Sequence, residues 1–250
     1  MKAQLCEYGR SKVVEVKSVT KAFGKERVLN QVKLTLPNDA VVSIVGPNGS
    51  GKSTLLSIIT GRLRPDSGSV MVDGQDIALH PSVARRIGYV MQQDTLFASL
   101  TVADNIRFWA SVAGLSYKEA IQNVGVELLG LQSFLSKRVS ALSGGMRRRT
   151  AICIALLSQP DVLILDEPFT GLDFVYQEEL ITYLGQLKQL GKSILFTSHN
   201  AGQIQELSDQ VYAIHDGKLT FAFDRDRLVS LRQRDIKDEL MKFVMGVEEV

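Results

Sequence analysis

GPNGSGKS, residues Gly46 to Ser53, decides how this chain is read. It follows the apolar run VVSIV (Val41 to Val45) and precedes STLLSIIT, which has the texture of a helix. A strand, a glycine-rich loop ending in Lys-Ser and a helix, in that order, make a phosphate cradle. The glycines let backbone N–H groups curl around phosphate oxygens, the helix start adds a partial positive charge, and Lys52 adds a full one. The Ser53 hydroxyl can ligate Mg²⁺ beside those phosphates. An ordinary glycine-rich turn would leave the register of strand, lysine and serine unexplained. A dinucleotide fold is disfavoured because the spacing is G-x-x-G-x-G, not G-x-G-x-x-G.

Working outward, VLILDEP (Val162 to Pro168) supplies the complement to the loop. Its continuous apolar run, like VVSIV and SILFT (Ser193 to Thr197), suits a strand buried on both faces of a parallel sheet. Asp166 and Glu167 then emerge at the sheet edge where the loop opens, one to hold Mg²⁺ and the next to polarise an attacking water. A solvated Asp-Glu-Pro turn is the plain alternative. KVVEVK (12–17) and VKLTL (32–36) alternate as antiparallel edge material, and YAIHDGKLTFAF (212–223) reads as a hairpin through Asp216-Gly217.

Between these strands, Thr101 with Asp104 and Ser116 with Glu119 fit a helix-capping pattern, and Gly114 and Gly130 stop the helices that follow. The reading is therefore α/β: a core at 12–223 with a helical lobe inserted at about 94–158, and a helical tail at 224–250. A further helix runs from 174 to 190 and ends at Gly191. In the tail, Leu228, Leu231, Ile236, Leu240 and Phe243 lie among charges of both signs, as in solvated amphipathic helices.

Composition sets bounds. Hydrophobic residues at 45% and charged residues at 22% exclude a disordered chain, and a net charge of +2 gives no reason to expect nucleic acid. Cys6 and Cys153 form no CxxC or Cys/His cluster, so both are expected as reduced thiols in a cytosolic protein. MKAQLCEYGRSK has no signal-peptide core, and no window reaches the ~18 apolar residues of a membrane span, so a membrane role would run through a partner.

A second motif, ALSGGMRRRT (141–150), offers another anion-binding helix start, with Ser143 as N-cap and Gly144 and Gly145 admitting close backbone approach. Together, these motifs resemble the nucleotide-binding subunit of ATP-binding cassette (ABC) transporters over roughly Val13 to Phe223. The resemblance implies a P-loop NTPase core with an antiparallel β subdomain, and ATP with Mg²⁺ as ligands. It implies that Gly46, Pro47, Asn48, Gly49, Ser50, Gly51, Lys52, Ser53 and Thr54 cradle the phosphates, with Ser53, Gln92 and Asp166 at the metal. Phe23 would stack on adenine, although core packing is the alternative from the residue alone. Gln92 would touch the attacking water, Glu167 would activate it, and His199 would contact the γ-phosphate. Ser143, Gly144 and Gly145 would seal the γ-phosphate held by a second copy, and Asp173 would lie on the loop that crosses to that copy.

The implied partners are therefore a second, head-to-tail copy and an integral membrane permease, with the chain peripheral on the cytoplasmic face. Arg147, Arg148 and Arg149 are expected to face solvent, acidic neighbours or the dimer seam. Met146, Met91, Phe174 and Asp39 depart from the common glutamine, proline, proline and glycine of the family. Met146, EPFTGLD and LTVADNIRFWASVAGL look like exporter-type subunits of the ABC-2 class. Soluble cassette proteins of translation or DNA repair need two cassettes or a coiled-coil insertion, which this sequence lacks. A P-loop kinase or GTPase would leave SGGM, Gln92 and His199 idle.

Overall fold

The structure, a computed structural model, describes residues 12–93 and 95–244; Cys6 with the rest of 1–11, Asp94 and 245–250 lie outside the described residues. β1 (Lys12–Phe23) and β2 (Glu26–Pro37) form a hairpin, and β3 (Val41–Val45) runs into the glycine loop and α1 (Lys52–Ile59). β4 (Ser67–Val72) and β5 (Gln75–Asp76) return to the hairpin before β6 (Ile87–Val90). Then come α2 (Val102–Val112), α3 (Tyr117–Ile121), α4 (Val124–Leu128) and α5 (Gly144–Ala155). β7 (Val162–Leu165), α6 (Phe174–Gln189), β8 (Ser193–Thr197), α7 (Ala201–Leu207) and the hairpin of β9 (Gln210–His215) and β10 (Lys218–Asp224) follow. α8 (Arg225–Ser230) and α9 (Gln233–Val244) end the described chain.

Two sheets result, one antiparallel in the order β2-β1-β4-β5, the other six-stranded in the order β10-β9-β3-β8-β7-β6. Within the second, β9, β3, β8, β7 and β6 run parallel, so their carboxyl ends share one edge. The continuous apolar runs explain themselves here. Along β7, Val162 and Ile164 pack with α1 and the antiparallel sheet, while Leu163 and Leu165 pack with α2, α5 and α6. Alternate residues of a strand point to opposite faces, and both faces are covered, so every position must be apolar. Each of these buried side chains contributes about 1.5–3 kcal/mol relative to exposure.

The mixed α/β architecture agrees with the sequence. So do the caps: Thr101 accepts the Asp104 N–H, and Ser116 and Glu119 form a reciprocal capping box. Gly114 (φ 77°) and Gly130 (φ 63°) take the left-handed backbone that ends helices. The Asp216-Gly217 turn has both residues at positive φ, as a tight hairpin requires, but its hairpin extends the parallel sheet rather than the separate antiparallel one. Asp39, which departs from the family's glycine, sits at φ 55°, in left-handed backbone that favours glycine. The tail is less solvated than its charge suggested: Leu228, Ile236 and Leu240 are buried against Ile204, Val211 and Phe223. Cys153 is buried in the helical side of the core, where loss of solvent pushes its thiol up to about 12. Among the described residues, no helix is long and apolar enough to cross a membrane.

Candidate active site

Four parallel strands end at the same sheet edge, and each delivers one part of the site. β3 delivers the glycine loop. Gly49 (φ 81°) and Gly51 (φ 101°) occupy backbone that other residues adopt only with strain, and a Cβ on Gly51 would lie 2.9 Å from the Val28 carbonyl. Gly51 caps α1 without a side-chain hydrogen bond, so the first-turn N–H groups of α1 have no side-chain acceptor. The Ser50 hydroxyl is buried and unpartnered beside them. Both observations fit a loop built to receive phosphate oxygens.

Lys52 is buried to 6% exposure, and its ammonium donates to the carbonyls of Gly46 (2.8 Å) and Pro47 (3.0 Å). Burial pushes its pKa below the usual lysine value, while the carboxylates of Glu167 and Asp166 pull it back.

β7 delivers the acids. Asp166 is 3% exposed, accepts the Thr197 hydroxyl at 2.9 Å and donates its N–H to the Val90 carbonyl. Glu167 stands at φ 47° with its N–H held by the same Thr197 oxygen at 2.7 Å. Thr197 at the end of β8 thus fixes both acids, a role that sequence reading missed because a threonine closing an apolar strand carries no signal of its own. Glu167 Oε1 lies 3.8 Å from Lys52 Nζ and 2.7 Å from His199 Nε2, the latter without hydrogen-bond alignment.

β6 delivers Gln92, which is exposed at the same edge. Phe23, at the end of β1, is 51% exposed with the Lys21 ammonium 5.6 Å from its ring centre, so it is not core. Among the described residues no cluster of three or more His, Cys, Asp or Glu could hold a metal ion. A magnesium ion here would instead rest on hydroxyl and amide oxygens with one carboxylate, the donor set of Ser53, Gln92 and Asp166.

Ser143, Gly144 and Gly145 belong to a different place. Ser143 caps α5, accepting the Met146 N–H at 3.2 Å, and Asp173 caps α6, accepting the Tyr176 N–H at 3.1 Å. The two tips are fitted together: a Cβ on Gly145 would lie 2.5 Å from the Tyr176 ring. Among the described residues, no hydrogen bond or ion pair joins Ser143–Gly145 to the Gly46–Thr54 loop. Of the three arginines, Arg148 contradicts the outward expectation: it is 8% exposed and donates to the Met91 and Gln92 carbonyls. Arg149 stacks on Phe134 and Tyr176, 3.8 Å from Glu179, and Arg147 donates to the Leu142 carbonyl. Helix register, which a run of like residues does not reveal, decides these directions.

A phosphate loop after one strand, facing an Asp-Glu pair at the end of another strand of the same parallel sheet, defines a P-loop nucleoside triphosphatase. The pattern of the ABC transporter family matches residues 29–170. The sulfate/thiosulfate import ATP-binding protein CysA of Pectobacterium atrosepticum is 36% identical over 82% of this chain and 64% of its own length. This chain thus spans less than two thirds of that relative. The linearmycin resistance ATP-binding protein LnrL of Bacillus subtilis is 32% identical over 83% of this chain and 68% of its own length. A solved structure of an ATP-binding subunit of an ABC transporter superposes with a TM-score of 0.78 at 28% identity, covering 92% of this chain and 100% of that one. The chain belongs to the ABC transporter family, as an ATP-binding domain.

Proposed function

We propose that this chain is the ATP-hydrolysing subunit of a transporter, working as a head-to-tail pair on the cytoplasmic face of a membrane beneath a separate permease. The observation that carries the reading is the meeting of Lys52, Glu167 and His199 at one sheet edge, while among the described residues no hydrogen bond or ion pair joins the helix tip Ser143–Gly145 to the loop that holds Lys52. Two half-sites on one chain become whole sites only when two copies face each other. Membership of a family of ATP-binding subunits supports ATP as substrate and hydrolysis as the reaction.

In this reading Phe23 stacks on adenine, residues Gly46 to Thr54 cradle the phosphates, and Lys52 balances their charge. Ser53, Gln92 and Asp166 would hold magnesium, which when bound would neutralise phosphate charge. Glu167 takes a proton from the attacking water as the γ-phosphoryl group passes to that water and ADP leaves. His199 contacts the γ-phosphate, and the partner's Ser143, Gly144 and Gly145 close over it, beside the loop that carries Asp173. Residues 12–223 form the ATPase unit, with about 94–158 as its helical lobe and 224–250 as a tail. Exposed Phe97 and Phe108, which pack edge to face at 4.8 Å, suit contact with the permease. Met146 and the run EPFTGLD support export by their likeness to exporter-type subunits, while the relatives include both sulfate/thiosulfate import proteins and a linearmycin resistance protein.

The test is Glu167→Gln. It keeps ATP binding and lowers hydrolysis by ~10²–10⁴. Hydrolysis at the wild-type rate would remove Glu167 from the chemistry.

A further inference from the structure

The backbone around Gln92 is held from two directions. Three successive carbonyls at the end of β6 and just past it are engaged: Val90 accepts the Asp166 N–H at 2.9 Å, Met91 accepts one guanidinium nitrogen of Arg148 at 2.9 Å, and Gln92 accepts another at 3.2 Å. Arg148 is buried, so its charge depends on such acceptors, and charge-assisted hydrogen bonds of this kind are stronger than neutral ones. Further along, the fully buried Asn105 fastens the same segment by accepting the Phe97 N–H and donating to the Phe97 carbonyl. Gln92 therefore sits on a short strap, anchored on one side to the acid of its own site and on the other to α5.

α5 is the helix whose tip is Ser143. Arg148 lies five residues beyond that cap, about 7.5 Å along the axis at 1.5 Å per residue. We propose that Arg148 is a positioning residue that ties Gln92 to α5. Through it, the helix tip that closes on the partner's nucleotide sets where the glutamine of its own site stands. This rests on the reading of Gln92 as a group that touches the metal and the attacking water. Met146 and Thr150 on the same helix cannot substitute, since Met146 packs into the core and the Thr150 hydroxyl donates to the Met146 carbonyl.

The experiment measures Mg-ATP turnover of the full chain for Arg148→Met, Arg148→Lys, Gln92→Ala and the double variant Arg148→Met/Gln92→Ala. A misplacement of about 1 Å costs up to ~10²-fold in rate. Arg148→Met is expected to lower kcat on the order of tenfold with KM for ATP little changed, because Lys52 and its loop are untouched. Arg148→Lys, which keeps the charge and loses the fork, recovers part of that loss. The double variant is no slower than Gln92→Ala alone, since the two changes act on one element. If Arg148→Met does not fold, Arg148→Lys carries the test through the same split of kcat from KM. Wild-type kcat in the folded Arg148 variants beside a slow Gln92→Ala overturns the tie alone. Wild-type kcat in Gln92→Ala overturns the reading of Gln92 and the tie with it. A uniform loss of ATP affinity and stability, not relieved by lysine, would make Arg148 merely structural.

Discussion

Glu167 Oε1 and His199 Nε2 stand 2.7 Å apart, although they belong to the ends of different strands. The contact exists because β7 and β8 are parallel neighbours in register, Leu165 opposite Phe196, so that residues just past each strand meet at one edge. Replacing His199 with Ala leaves Glu167 near Lys52 but removes the group that faces it. The expected result is ATP binding close to wild type with kcat reduced at least tenfold, measured by steady-state kinetics.

Thr197 holds the two acids from behind. Its hydroxyl donates to Asp166 and accepts from the Glu167 N–H, which stands in left-handed backbone. Thr197→Val keeps the shape and leaves a buried N–H and a buried carboxylate short of a partner. Thermal unfolding should report a loss of about 1–3 kcal/mol. Turnover should fall along with it, because Glu167 is no longer fixed.

Gly145 has no room for a side chain against Tyr176. Gly145→Ala forces the tips of α5 and α6 apart at a cost of about 1–3 kcal/mol, and it moves the Ser143 cap with them. Nucleotide binding by a single copy should survive while ATP-driven pairing is lost. Adding Tyr176→Ala opens the space and should restore part of the pairing, which sedimentation would follow.

Phe23 presents an open ring at the end of β1, and Asp66 braces that end by accepting the Lys21 ammonium at 2.7 Å and the Ala22 N–H at 2.7 Å. Phe23→Ala should weaken ATP binding on the order of tenfold, since a stacked base is worth ~1–3 kcal/mol, whereas Phe23→Trp should keep it. The bonds to Lys21 and Ala22 lower the Asp66 pKa from 3.8. A carboxyl whose folded value is depressed stabilises the fold above its unfolded value and loses that stabilisation as pH falls through the folded one. Asp66→Asn should therefore remove a part of the acid sensitivity seen below pH 3.8, read from unfolding curves across that range.

What the sequence made legible follows from how locally each feature is determined. The buried strands were readable because two covered faces demand unbroken apolar runs, and the helix starts because caps act within three residues. β6 was harder: four residues with a glycine, IGYV, are too short for periodicity. β4, with SGSVMV, begins in serines and a glycine, residue types that favour turns over strands. Sheet membership of the β9–β10 hairpin depends on β3, more than 160 residues away in sequence, as the pairing of Val42 with Gln210 records. At the site, the glycines and the Lys52, Asp166 and Glu167 side chains announced themselves by type and order. Thr197 and Arg148 did not, because their importance lies in which backbone groups they reach.

The central claim is that one triphosphate bridges two copies, gripped by the Lys52 loop of one and sealed by the Ser143 tip of the other. Light scattering on the Glu167→Gln chain tests it most directly. With saturating Mg-ATP the mass should double, and Ser143→Arg, which blocks the seal but leaves the Lys52 loop intact, should keep it at one chain. A Glu167→Gln protein that binds ATP yet holds the single-chain mass, even beside its cognate membrane protein, would contradict the account.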